Sequence, residues 1–392
     1  MSDMKKSPRV SIVTRTKNRP ALLGRAIDSA LGQTLKSWEM IIVNDGGDPA
    51  PVDALVKKVA KPAAGRIRVV HNRKSVGMEA ASNCALKVAR GEFVVIHDDD
   101  DSWLSAFLEK TVAHLDGADA CVGGVVTHSA KITETLEGDT VTILGSEPYT
   151  PGLRAITLMG MARSNNFPPI AFLYRRATLT KVGRYNPKLP VLGDWEFNLR
   201  FLEHFEIEVL PESLANYHIR PSTKSGIYSN TIIGGLDLHL KHDTRLRNEL
   251  MRQDMREGRP GLGFLVNLGR MMNDQMWEIR RAQMFDCTLT KLRNHGITRF
   301  AVCGAGAMGR RMVADARAQG FHVDRIVDAN KTLWGKPLEG VKVVGADDAL
   351  KQGCRTFVIA SLTYAKEMRA VISAAASKQG VDLRVFEMTE AA

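Results

Sequence analysis

Gly91-Glu92-Phe93-Val94-Val95-Ile96-His97-Asp98-Asp99-Asp100-Asp101-Ser102-Trp103 sets a short apolar segment directly ahead of an acidic run. Phe93 to Ile96 is an apolar run of strand-forming residues, and it leads directly into four consecutive carboxylates. Four like charges at the end of a buried strand repel one another unless a cation or a row of hydrogen-bond donors meets them. The residues alone leave two readings open. One is a hard divalent ion held by carboxylate oxygens, with phosphate filling its other positions. The other is an acidic loop capping a helix that starts near Trp103, since helix N-termini attract carboxylates.

Upstream of this run, strands and helices alternate. Val10-Ser11-Ile12-Val13-Thr14 is a short strand that ends at the polar turn Arg15-Thr16-Lys17-Asn18-Arg19-Pro20. Leu22, Leu23, Ala26, Ile27 and Ala30 follow at helical spacing. A second strand, Glu39 to Val43, ends at Asn44-Asp45-Gly46-Gly47, and a third, Ile67 to Val70, ends at His71-Asn72-Arg73. In an open parallel sheet, ligands bind outside the carboxyl ends of the strands. Three polar clusters, 15–19, 44–47 and 98–101, therefore converge on one crevice. The first is basic and suits phosphate. The second offers a carboxylate for a base edge or a ribose, and the third offers metal ligands.

Residues 9 to about 225 resemble a family 2 inverting glycosyltransferase with the GT-A nucleotide-diphospho-sugar transferase fold. The resemblance rests on VSIVTRTKNRP, on SALGQTLKSWEMIIVNDGG, on the spaced Asn72, Gly77 and Asn83, and on Asp98-Asp99-Asp100 with Asp101-x-Trp103, in that order. It implies an α/β enzyme that moves a sugar from a nucleotide-diphosphate donor, a UDP-sugar by preference, to a saccharide or lipid-linked hydroxyl acceptor. Bacterial polysaccharide or glycoconjugate synthesis is the implied setting. By position, Asp45 binds the base, Arg15, Thr16 and Asn18 line its pocket, and Gly77 and Asn83 belong to the same nucleotide-sugar site. Asp98 approaches the ribose or diphosphate, and Asp100 ligates Mg²⁺ or Mn²⁺. Asp99 points away from the crevice, and Asp101 starts the helix at Trp103.

Two departures from the commonest pattern stand out: Arg15-Thr16-Lys17 where many members have Pro-Thr-Tyr, and Ser82 where many have Arg. The second moves the expected phosphate contact to Arg73 or Lys74. Asp194, in Leu192-Gly193-Asp194-Trp195, reads by itself as the N-cap of a helix; the resemblance makes it the general base, with Glu196 as its competitor. His218 is the expected additional metal or diphosphate ligand, and Arg220 and Lys224 are expected to reach the diphosphate.

Residues 231–295 read as a helical connector interrupted at Glu257-Gly258-Arg259-Pro260-Gly261, with a Met-rich stretch that suits interdomain core or a subunit contact in a homo-oligomer. At Arg299 a new α/β unit starts. The strand Phe300 to Cys303 precedes Gly304-Ala305-Gly306-Ala307-Met308-Gly309, and a second strand ends at Asp328. GxGxxG between strand and helix, with an acid at the next strand end, is the Rossmann context. Gly304, Gly306, Gly309 and Asp328 are thus a candidate ligand site. It carries the alternative function, an NAD(P)-dependent oxidoreductase or a ligand sensor. The expected organisation is 1–230 transferase domain, 231–295 connector and 296–392 Rossmann-like domain.

Bulk properties narrow the setting. The 392 residues are 44% hydrophobic and 25% charged, the balance of a soluble globular protein. No apolar stretch approaches the ~20 residues of a membrane span, and the N-terminal MSDMKKSPRV lacks a signal-peptide core. Cysteines at 84, 121, 287, 303 and 354 form no metal-binding or disulfide spacing. A cytoplasmic protein is the expectation. The net charge of +11, with Arg concentrated at 245–259 and 280–281, is compatible with peripheral association at the inner face of the membrane. A nucleic-acid partner is not expected, because no zinc finger, basic heptad or RNA-binding aromatic pattern accompanies that charge.

Overall fold

The computed structural model describes residues 7–138, 140–223, 225–230, 235–362 and 364–388. Lys224, residues 231–234 of the connector and the first six residues therefore lie outside the described residues. The chain divides into two compact units, Met1–Met272 and Asn273–Ala392.

The first unit contains the strands β1 (Val10–Thr16), β2 (Trp38–Asp45), β3 (Ile67–Asn72), β4 (Phe93–Ile96), β5 (Ser102–Trp103), β6 (Val122–Glu137), β7 (Thr140–Tyr149), β8 (Phe172–Arg175) and β9 (Glu206–Ile219). β1, β2 and β4 are buried on both faces almost throughout, which is why they read as continuous apolar runs rather than alternating ones. The sheet order is β3-β2-β1-β4-β8-β6-β9-β5, with β7 on β6. β3, β2, β1 and β4 run parallel, and β8 is antiparallel to β4. The chain order reverses at β1, which lies between β2 and β4, so the crevice opens at their carboxyl ends. β4 pairs with β1 only from Phe93↔Val10 to Ile96↔Val13. It leaves the sheet at Ile96 while β1 runs on to Thr16, and this brings the acidic run alongside the basic turn.

Helices α1 (Pro20–Leu31), α2 (Pro49–Lys58), α3 (Ala60–Ala63), α4 (Met78–Leu86), α5 (Phe107–Gly117), α6 (Leu158–Arg163), α7 (Leu179–Val182) and α8 (Gly193–Leu202) belong to this unit. α1 buries the five positions that helical spacing picks out: Leu22, Leu23, Ala26, Ile27 and Ala30. The helix expected at Trp103 is absent. Ser102 and Trp103 pair with Asn216 and Ala215 instead, and α5 starts at Phe107. Tertiary packing overrides the local signal: Trp103 stacks on Phe107 at 4.6 Å, meets His97 edge-on at 4.2 Å and donates its indole N–H to the Ile170 carbonyl. Asp101 consequently caps no helix. Asp194 is not the N-cap of α8 either. Leu192, at φ 67°, holds that place, and Asp194 lies in the first turn. Beyond His128, β6 runs on into a long hairpin with β7 and keeps turning Ile132 and Glu134 inward.

The 231–295 stretch forms α9 (Leu236–Glu257) and α10 (Leu262–Asn294). Its residues are shared out between the units. Leu246 and Val266 enter the first core, and Arg247 donates to the Val266 carbonyl and lies 4.7 Å over the Trp195 ring. Met284, Phe285, Leu289 and Leu292 enter the second core. Among the described residues no helix is long and apolar enough to cross a membrane.

The second unit is a smaller α/β sheet in the order β12-β13-β11-β10-β14-β15. Its strands are β10 (Arg299–Cys303), β11 (His322–Val327), β12 (Pro337–Leu338), β13 (Val341–Val344), β14 (Thr356–Ile359) and β15 (Arg384–Glu387), and its helices are α11 (Ala307–Ala318), α12 (Ala346–Lys351) and α13 (Ala365–Gln379). Only β12 is antiparallel to its neighbour. Phe300 and Val302 pack into one core while Ala301 and Cys303 pack into another, so both sheet faces are covered. The glycine loop is held by its own chain. Gly304 has φ +106°, and a β-carbon on Gly309 would collide with the Gly304 carbonyl oxygen. Asp328 accepts from the Ala305 N–H at 2.7 Å and from the Asn330 N–H at 2.8 Å. Gly309→Ala is therefore expected to destabilise this unit by about 1–3 kcal/mol. Thermal unfolding followed by limited proteolysis would show earlier cleavage beyond residue 273 with the first unit's protection unchanged.

Candidate active site

Arginines meet the acidic run. Arg15 Nη2 lies 3.0 Å from Asp98, Arg19 Nη2 lies 2.7 Å from Asp99, and Arg19 Nη1 lies 3.4 Å from Asp100. Arg220, itself fully buried, bonds Asp100 through one terminal nitrogen and Glu134 through the other. Arg25 closes the array on Glu134 at 2.7 Å and on the Asp100 carbonyl. Four carboxylates (Asp98, Asp99, Asp100, Glu134) thus face four guanidinium groups (Arg15, Arg19, Arg25, Arg220). Removing one member of such a buried set leaves an uncompensated charge, at a cost of about 3–5 kcal/mol.

The surroundings sort the carboxyls. Burial alone would raise Glu134, but hydrogen bonds from His218 and Arg25 outweigh it and bring the group down to about 2. Burial likewise opposes ionisation of Asp100, yet Arg19 and Arg220 hold it below the ordinary carboxylate range. Asp99 is fully buried, and burial pushes it up to about 6 despite Arg19. It pairs with Arg19, which Asp100 shares. Asp101 accepts from the His218 backbone N–H at 2.9 Å, and burial followed by the charges of Asp100 and Asp98 raises it well above its usual value.

The residues expected to hold the nucleotide are brought together, but several serve the scaffold. Both oxygens of Asp45 are occupied by the loop after β3. They accept from the Asn72 amide at 2.8 Å, the Ser75 hydroxyl at 2.7 Å, the Val76 N–H at 2.9 Å and the Gly77 N–H at 3.1 Å. Burial would raise this carboxyl, but those bonds lower it. Asp45 therefore shapes the pocket wall rather than presenting an open carboxylate to a base. Gly77 turns the chain into α4 at φ +94°. Asn18, at φ 56°, accepts from the Asp48 N–H at 2.9 Å and ties the β1 and β2 turns together. Thr16 is buried and Arg73 exposed. Asn83 makes a two-bond clasp on the backbone of Tyr185, at 2.7 and 3.1 Å, so it fixes the segment ahead of α8 instead of touching a nucleotide.

The two sequence departures meet in space. Arg15 Nη1 donates to Ser82 Oγ at 2.8 Å. Arg15, from β1, thus puts a cation beside position 82.

Asp194 is partly exposed in the first turn of α8, and its Oδ2 accepts from the Asn165 amide at 2.7 Å. Burial, then the charge of Asp98, raises its carboxyl, against opposing hydrogen bonds and Arg15. Glu196 is held by Arg200 at 2.6 Å within the helix and is not placed to compete as the base. Beside Asp194 lies Glu79, 3% exposed and 3.7 Å from Arg15, which the sequence reading passed over.

His218 does not fit its expected role as a metal ligand. It is 4% exposed, its Nδ1 is 2.8 Å from Glu134 and its Nε2 is 3.0 Å from Ser102 Oγ. With Glu134 ionised, Nδ1 carries the proton and the hydroxyl donates to Nε2, so both ring nitrogens are engaged. Asp100 fits better. Its Oδ2 takes the contacts with Arg220, Arg19 and Asn230, while Oδ1 has no hydrogen-bond partner among the described residues. No group of three or more His, Cys, Asp or Glu among them is arranged to hold an ion. The donor set suits a hard cation that keeps waters and takes substrate phosphate oxygens beside one or two carboxylates.

Residues 11–183 match the family described as Glycosyl transferase family 2. The glycosyltransferase YwdF of Bacillus subtilis is 29% identical over 206 residues, 52% of this chain and 71% of its own. A PGL/p-HBAD biosynthesis glycosyltransferase of Mycobacterium bovis is 26% identical over 227 residues, 58% of this chain and 81% of its own. A solved structure of S. aureus TarS 1–349 with UDP aligns with a TM-score of 0.44 at 20% identity, over 54% of this chain. The alignment spans 61% of that TarS fragment. The match over residues 11–183, less than half of the chain, makes that segment similar to glycosyl transferase family 2.

Proposed function

We propose that the protein is a metal-assisted, inverting glycosyltransferase that moves a sugar from a nucleoside-diphosphate donor, a UDP-sugar by preference, to a hydroxyl of a saccharide or lipid-linked acceptor. Bacterial glycoconjugate synthesis is the setting, as the name of the mycobacterial relative suggests. The observation that carries the reading is Asp194: one carboxylate, anchored through Oδ2 by Asn165, in the first turn of a helix at a crevice whose other wall is Arg15 and Asp98.

The chemistry asked of these residues is modest. Asp194 takes the proton of the acceptor hydroxyl as its oxygen attacks the anomeric carbon. The attack comes from the face opposite the leaving diphosphate, so the configuration inverts. Asn165 fixes the carboxylate's orientation. Arg15 and Arg19 place positive charge where the diphosphate lies, and Asp98 is positioned for the ribose or diphosphate side. A bound Mg²⁺ or Mn²⁺, held by Asp100 Oδ1, would supply charge stabilisation for the leaving diphosphate. No protein acid is then needed on the leaving group.

Asp194→Asn is expected to lower kcat by about 10²–10⁴-fold and leave UDP affinity within about threefold. Turnover on a panel of nucleotide sugars with Mn²⁺, beside calorimetric UDP binding, separates the two; full turnover by the variant contradicts the assignment. The base works only when ionised, and burial raises its value. Activity is therefore expected to fall as pH drops through that raised range, above the pH at which an exposed aspartate protonates. In Asp194→Asn the residual rate should lose this limb.

A further inference from the structure

Glu79 sits in the first turn of α4, yet its carboxyl belongs to the base. A β-carbon on Gly193 would run into that carboxyl, so the space a side chain at position 193 would occupy is filled by Glu79. The next residue in the chain is Asp194. Glu79 Oε2 is buried and has no hydrogen-bond partner among the described residues. Among the described residues the cation against it is Arg15, at 3.7 Å, which Asp98 shares at 3.0 Å and which also donates to Ser82. The other groups that face it are Asp98 from the loop after β4, Asp194 and Glu196 from α8, and Tyr185 from the segment before α8. Tyr185 is buried and raised well above its usual value, so it stays neutral.

A buried carboxylate with an unpartnered oxygen and three acidic neighbours around one shared guanidinium is a costly arrangement. It is relieved when the group takes a proton. We propose that Glu79 is a positioning residue for the base: it supports the Gly193–Asp194 step, and its own ionisation sets how strongly Asp194 takes the acceptor's proton. Protonated, it leaves Asp194 a weaker base; ionised, it adds a negative charge beside Asp194 and strengthens it. Burial brings this switch to about 7, against the opposing pull of Arg15 and with the charges of Asp194, Asp98 and Glu196 acting in the same direction as burial. The proposal rests on Asp194 as the base.

The test is the pH profile of kcat/KM for wild type and Glu79→Gln, which keeps the size of the side chain. The donor is whichever UDP-sugar supports turnover. Wild type should show a second rise near pH 7 above the limb of Asp194. The variant should lack that rise and run roughly tenfold slower at pH 8, the effect of about one unit in the base's proton affinity. A carboxyl carbon resonance of ¹³C-Glu-labelled protein should titrate near pH 7 in wild type and be missing from Glu79→Gln. Superimposable profiles, or no such resonance, overturn the proposal and leave Glu79 as packing. If Asp194→Asn turns over at the full rate, the reading of the base itself falls, and this proposal with it. Loss of turnover in Asp194→Asn with an unchanged Glu79→Gln profile rejects the present proposal alone.

Discussion

The guanidinium of Arg220 is buried between Asp100 and Glu134, one nitrogen on each, and the crevice depends on that contact. A strand that ends in four carboxylates can be folded only if their repulsion is answered. Arg220 reaches them from the end of β9, Arg25 from α1, Arg15 from the last residues of β1 and Arg19 from the loop that follows it. Each of those elements is thereby fixed relative to β4. The same contacts decide which carboxylate oxygens face the crevice. Asp100 keeps Oδ1 open because the arginines and Asn230 gather on Oδ2.

Function follows from what this array leaves unsatisfied. A fully neutralised cluster would be inert scaffold, as the Glu134–His218–Ser102 chain is. At the mouth of the crevice the match is incomplete. Arg15 serves Asp98, Glu79 and Ser82 at once, Asp194 has one oxygen anchored, and Glu79 has one oxygen with no partner. These are the groups with room to exchange protons or accept a ligand, and they surround the crevice at the point where the sheet order reverses.

The parallel half of the sheet was legible because strands buried on both faces read as unbroken apolar runs, and because α1 repeats its apolar residues at helical spacing. The convergence of 15–19, 44–47 and 98–101 followed from that topology. Trp103 misled because a tryptophan after an acidic run looks like a helix start, whereas its indole is committed to Phe107, His97 and Ile170 across the fold. Asp45 and Asn83 look like ligand contacts in one dimension; only in three do their partners, the 72–77 loop and the Tyr185 backbone, come into reach. Glu134 gave no signal at all. It stands between Thr133 and Thr135 in a strand, and nothing local pairs it with Arg25 or Arg220, 109 and 86 residues away. Glu79 was hidden for the same reason, since its partner is the absent side chain of Gly193.

If arginines rather than a resident ion balance the acidic run, the protein alone offers a divalent cation little more than one carboxylate oxygen. The donor's phosphates must then complete its ligands. Calorimetric titration of Mn²⁺ into the protein, without and then with saturating UDP, measures this directly. No stoichiometric binding is expected in the absence of nucleotide, and one ion per chain in its presence. Tight, stoichiometric Mn²⁺ binding without nucleotide would contradict it.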